Sequence, residues 1–102
     1  MGLLLFKKVF AEPIREGLKT TTLRRWDRPR CRAGQRVFAP GVGYLQVLDV
    51  KQVKLKDLVR DDARADGFAS LAALRRALRE MYDARQRGRP LWRVRFRWLT
   101  SA

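Results

Sequence analysis

The run Gly17-Leu18-Lys19-Thr20-Thr21-Thr22-Leu23-Arg24 sets an ammonium, three hydroxyls and a guanidinium close together in the chain. The three threonines are β-branched and favour extended backbone. Strand alternation then puts Thr20 and Thr22 on one face and turns Thr21 and Leu23 towards the other. Gly17 follows Glu12-Pro13-Ile14-Arg15-Glu16, a short helical segment, where a left-handed capping glycine belongs. A helix ending there and a strand starting just beyond would deliver Lys19 and Thr22 near one another at a corner. An ammonium and a hydroxyl so held suit an anion, a carbonyl or the edge of a nucleobase. The competing reading is a solvated edge strand with a lysine at its tip.

Charge is the strongest global property. The 102 residues carry 24 Lys+Arg against 10 Asp+Glu, a net charge of +14, and arginine dominates the cations. Such a chain attracts polyanions through a salt-sensitive field, which makes nucleic acid the leading class of partner. Arginine in place of lysine, a single cysteine and no asparagine also fit a heat-adapted source. That composition does not account for the scarcity of acids. With no histidine in the chain, Ser-His-Asp, Cys-His and histidine-metal chemistry are excluded. Cys31 is alone, so an intrachain disulfide and a cysteine zinc site are excluded too, and no metal or cofactor is expected. Its neighbours Arg30 and Arg32 would depress the thiol's pKa. Any catalysis must run on Lys, Thr, Ser, Asp, Glu, Tyr or Arg.

The elements that must position these groups follow from pattern. One domain over residues 1–102 is expected at this length. Leu3 to Phe10 reads as a strand and Ala11 to Glu16 as a short helix. Arg25 to Ala33 is a basic loop, in which Trp26 is either a plug over the core or a platform on which a base stacks. Arg36 to Ala39 and Tyr44 to Val53 form a hairpin about the turn Pro40-Gly41-Val42-Gly43. Lys56 to Ala65 reads as a helix broken by Asp66-Gly67-Phe68. Ser70 caps a second helix running to about Tyr82, with Leu71, Leu74, Leu78 and Met81 at helical spacing. In the strand Leu91 to Leu99, Trp92, Val94, Phe96 and Trp98 face a core. Arg93, Arg95 and Arg97 face the other way, about 7 Å from one to the next, either solvated or tracking phosphates. The count gives an α+β fold built on a small β-barrel of about five strands with two or three short helices. The longest N-terminal apolar run, Leu3 to Phe6, is too short to span a membrane or to serve as a signal core. A cytoplasmic protein with no membrane partner is expected.

Gly17, Lys19, Thr22 and Arg24 form G-x-K-x-x-T-x-R, followed about forty residues later by the acid-Gly-Phe of Asp66-Gly67-Phe68. Together with the Gly34 to Val37 strand entry, the Gly43-Tyr44 hairpin and the closing Val94 to Phe96 strand, this pattern resembles the ASCH domain. The resemblance spans nearly the whole chain and implies a PUA-like barrel that reads RNA or a nucleoside. Small bacterial members of similar layout are N(4)-acetylcytidine amidohydrolases, in which a lysine, a threonine and a downstream acid act together. Carried over, those roles fall on Lys19, Thr22 and Asp66. The family enzyme has glutamate at the last position, one methylene longer than the aspartate here. Three functions are therefore expected as alternatives. The first is an RNA- or nucleoside-binding module gripping its ligand in a basic cleft, with Arg24, Arg25, Trp26, Arg93, Arg95 and Arg97 as contacts. The second is a hydrolase on acetylated cytidine, or a ribonuclease. There Thr22 attacks or positions water, Lys19 serves as base or as cation at the oxyanion, and Asp66 orients the lysine. A third is an adaptor that recruits an RNA-processing partner.

Overall fold

Alternating apolar residues in Leu91–Trp98 (β5) and Gly43–Val53 (β4) make these the longest paired strands, joined antiparallel through a bulge between Val47 and Asp49. In the computed structural model, which describes residues 2–100, they form one sheet with Gly2–Leu3 (β1), Thr21–Arg25 (β2) and Arg36–Ala39 (β3). The strand order is β1-β3-β4-β5-β2; β1 runs parallel to β3 and every other pair is antiparallel. The sheet curls into a half-barrel with helices Ala11–Arg15 (α1), Arg60–Ala65 (α2) and Leu71–Met81 (α3), the expected α+β class.

Each face of the sheet has its own core. Val37, Leu45, Val47, Val94 and Phe96 pack on the inner face with Ile14 of α1. Leu23 and Leu91 point to the outer face and are covered by Leu58, Ala63, Leu74 and Leu78 from the helical side. Trp26 is buried in the inner core, and its main-chain carbonyl accepts a hydrogen bond from the Trp92 indole at 3.0 Å. Of the two readings of Trp26 the structure has the plug: in this position the ring offers no stacking surface.

Two expected elements are shorter than the pattern suggested. The strand from Leu3 to Phe10 is only Gly2–Leu3, followed by extended chain and a tight turn over Lys8–Phe10 closed by Phe10 N–H to the Lys7 carbonyl at 3.0 Å. Its later residues leave the sheet to line a pocket. The helix expected over Lys56 to Ala65 splits into a turn at Leu55–Asp57 and α2. Leu58 is extended so that its side chain enters the outer-face core, and Asp62 Oδ2 then accepts the Val59 N–H at 2.8 Å to start α2 afresh. Ser70 caps α3 as expected, its hydroxyl accepting from Ala73 N–H at 3.1 Å.

A candidate ligand site at the open edge of β2

Two helix ends of the same design deliver the central pair of the site. α1 stops in a Schellman turn: Gly17 N–H reaches the Ile14 carbonyl at 3.2 Å and Leu18 N–H the Pro13 carbonyl at 2.9 Å. Gly17 sits at φ +78°, the left-handed region that glycine occupies without cost. The chain leaves this turn with Lys19 pointing inward. α2 stops the same way, with Gly67 N–H to Arg64 at 3.0 Å and Phe68 N–H to Ala63 at 2.8 Å. Gly67 has φ +91°, and the stem of Lys19 lies against it. Asp66 therefore faces Lys19, and Phe68 turns into the pocket wall. A hydrogen bond from Thr20 N–H to the Ala65 carbonyl, 2.7 Å, ties the two ends together.

Lys19 and Asp66 are only 3% and 4% exposed. The Lys19 ammonium donates to Asp66 Oδ1 in a direct ion pair and to the Asp66 main-chain carbonyl at 2.6 Å. It also lies 4.5 Å from the centre of the Phe10 ring. Burial is the main influence on both pKa values, pulling the lysine below its ordinary range and lifting the aspartate above its own, while mutual attraction opposes both shifts.

Thr22 is buried next to this pair in the pocket lining, and its Oγ1 accepts from Arg24 Nε at 3.0 Å. An oxygen that accepts there keeps its own proton to donate elsewhere. Arg24 stretches across the opening. Its Nη2 donates to the Leu5 carbonyl at 2.6 Å and its guanidinium stands 5.0 Å from the Phe6 ring. Arg24 thus straps the segment after β1 to the edge of β2.

The result is a pocket of about 320 Å³ with an apolar wall and a polar floor. Phe6, Phe10 and Phe68 supply rings; Leu74, Ala77, Leu78 and Met81 of α3 close the far side. Lys19, Thr22, Arg24 and Asp66 form the floor. Main-chain groups reach it as well. Hydrogen bonds from Phe96 N–H to Thr20 and from Trp26 N–H to Pro90, with the register Thr22 to Val94, commit the even-numbered residues of β2 to β5. By antiparallel alternation Leu23 aims its N–H and carbonyl away from β5, at the open edge that the pocket lines.

Of the expected site residues, the structure brings Lys19, Thr22, Asp66 and Arg24 together. Arg25 lies on the other face of β2, its side chain donating to the Arg89 carbonyl at 3.0 Å. Arg93 is held by Asp62 at 3.2 Å, and Arg95 and Arg97 stand exposed on the outer sheet face. None of these three lines the pocket. The expected basic cleft is instead mostly apolar, and its buried lysine is matched by a carboxylate. Cys31 also departs from expectation: burial pushes its thiol up, and the cation acting against that shift is Arg24, not the adjacent Arg30 or Arg32. Phe6 and Phe10, expected as strand residues, line the pocket instead; their four-residue spacing around Lys7 and Lys8 is the one sequence signal for it.

No protein-family model matches the chain, and no match is found among curated proteins. Solved structures do match. A hypothetical protein, PH0355, superposes with a TM-score of 0.79 at 16% identity, over 95% of this chain and 98% of that one. The ASCH domain from Lactobacillus crispatus superposes at 0.78 and 16% identity, over 94% of this chain and 79% of that one. A mutant of the ASCH protein ZmASCH from Zymomonas mobilis gives 0.66 and 16%, over 94% and 68%. The fold is that of these ASCH structures.

Proposed function

We propose that this chain, on its ASCH fold, is a binding module for a single nucleobase, presented either by RNA or by a modified nucleoside. The observation that carries the reading is the pocket at the β2 edge, with aromatic walls above a floor of hydrogen-bonding groups. A flat heteroaromatic ring needs apolar contact on its faces and donors and acceptors at its rim. Phe6, Phe68 and Met81 provide the first. The Thr22 hydroxyl, the Leu23 main chain and the Lys19–Asp66 pair provide the second. The volume lies at the lower end of the range for small-molecule pockets, which suits one base and not a larger cofactor. The net charge of +14 supports a polyanionic carrier of that base.

Calorimetric titration with cytidine, N(4)-acetylcytidine, uridine, adenosine and guanosine tests the reading. At least one nucleoside binds, and Thr22→Val weakens it about tenfold, since a polar rim left unpaired costs about 1–3 kcal/mol. Failure of every nucleoside and of a single-stranded RNA carrying them would overturn it.

A hydrolytic reading is supported by one feature, the burial of Lys19 beside Thr22 and Asp66 in a pocket open to ligand. Burial eases loss of the Lys19 proton, and the amine once neutral can take a proton from the Thr22 hydroxyl or from water as either attacks an acetamide carbon. When Thr22 attacks, the C–N bond breaks as the proton passes to the departing amine, and water then cleaves the O-acetyl-threonine to acetate; when water attacks, the same C–N cleavage releases acetate directly. Incubation with N(4)-acetylcytidine, read by chromatography, gives cytidine in the parent and none in Lys19→Ala. Equal activity in both assigns the chemistry elsewhere.

A further inference from the structure

The outer face of the sheet is covered by the helices only at the end marked by Leu23, Val53 and Leu91. Towards the other end it is bare. Strand pairing puts Arg36, Gln46 and Arg97 in one row across β3, β4 and β5, with Arg95 two residues from Arg97 on the same face. Arg36 and Arg97 are therefore about 10 Å apart and Arg95 and Arg97 about 7 Å apart. All three arginines are exposed. None makes an ion pair among the described residues, although Asp49 stands opposite Arg95 in the register.

The same bare area carries aromatic rings that neither core uses. Phe38 and Tyr44 are cross-strand partners with ring centres 5.2 Å apart, only partly buried, and absent from both hydrophobic clusters. The Arg36 guanidinium lies 4.1 Å from the centre of the Tyr44 ring. Ring and guanidinium thus form a small stack at one end of a row of free cations. An ordinary solvated sheet face has polar residues here, not two rings with a guanidinium laid over one of them.

We propose that this face is a track for single-stranded RNA: bases stack on the Arg36–Tyr44–Phe38 group while phosphates lie along Arg95 and Arg97. Rings presented on an open sheet, flanked by arginines, bind unpaired bases through stacking and the backbone through charge. A duplex keeps its bases stacked internally and cannot use the rings. The track is separate from the pocket at the β2 edge and does not depend on what the pocket binds.

The test uses the full chain and a fluorescein-labelled mixed-sequence RNA twelve-mer, measured by polarisation at two salt concentrations. The parent prefers the single strand to its duplex at least fivefold. The double variant Arg95→Gln/Arg97→Gln weakens single-strand binding more than tenfold and lowers the salt slope by about 1.4, two contacts at about 0.7 each. Tyr44→Leu weakens binding about tenfold, and Tyr44→Phe, which keeps the ring, leaves it unchanged. Arg28→Gln/Arg30→Gln removes the same charge from an exposed loop and has less than a threefold effect. Equal loss in that loop variant, equal affinity for duplex, or unchanged binding in the Arg95/Arg97 variant overturns the track. Nucleoside titration of the same variants separates the two sites, because a track variant leaves pocket binding intact.

Discussion

Replacing Lys19 with methionine isolates the buried pair on which the site is built. Methionine keeps much of the stem that lies along Gly67 and removes the ammonium. The Asp66 carboxylate, 4% exposed, is then left without its partner. Breaking a buried pair from one side costs about 3–5 kcal/mol, because the remaining charge stays out of water uncompensated. That is a large part of the roughly 5–15 kcal/mol that stabilises a domain of this kind. The loss is also pH-dependent with a definite sign. Burial already lifts Asp66 above its ordinary value of 3.8, and Lys19 is the largest influence holding it down. Without the lysine it rises further, so the folded variant keeps a proton that the unfolded chain releases. Stability from this group is full below 3.8 and is lost as pH climbs through the raised folded value. Urea denaturation at mildly acidic and at neutral pH reads both effects. The deficit of Lys19→Met is small in acid and grows to about 3–5 kcal/mol at neutrality. The double variant Lys19→Met/Asp66→Leu recovers all but about 1 kcal/mol, the residue coming from the main-chain carbonyl that loses its donor. A single variant within about 1 kcal/mol of the parent at neutral pH, or a deficit that widens in acid, refutes the buried ion pair.

The parent's own pH profile follows from the same groups: Asp66 makes stability fall as pH rises above 3.8, and Lys19, held below 10.5, makes it rise again on the approach to that value; a flat denaturation profile would contradict both directions. Gly67→Ala forces a side chain onto φ +91° and costs about 1–2 kcal/mol in thermal or urea unfolding, with ligand affinity falling because Asp66 and Phe68 are displaced together. Arg24→Gln loses the bond to the Leu5 carbonyl, lowers stability by about 2 kcal/mol, and raises amide exchange in Leu4 to Lys7; unchanged exchange there would show that the strap is not needed.

Much of this architecture was legible in residue pattern. The Trp92 to Trp98 alternation marks β5, the strand between β4 and β2, and its inner face. Gly17 marked a helix end and Ser70 a helix start, because each is a local backbone requirement met by one residue type. The Lys19, Thr22, Asp66 grouping came from motif resemblance, and the structure brings those three residues into one lining. What pattern did not give was depth. Nothing in the row Arg93, Arg95, Arg97 says which face the helices cover, so the pattern leaves it either solvated or along a phosphate backbone; in the structure the row lies outside the pocket. Phe6 and Phe10 read as strand residues because period-2 signals do not record that the sheet ends after Leu3. Pattern leaves Trp26 two readings, plug or platform, because only the path of the loop over the inner core puts its ring inside.

The amino-acid order by itself determined the backbone punctuation, the charge and the groups available for chemistry, since glycine at a left-handed turn, a serine cap or a missing histidine acts within a few residues. Only the tertiary structure decided that a lysine and an aspartate forty-seven positions apart are sealed against each other, that β2 is an edge with main-chain groups to offer, and that the arginine row and the pocket lie apart. Burial and strand order depend on contacts between distant segments, and those contacts exist only once the chain has closed on itself.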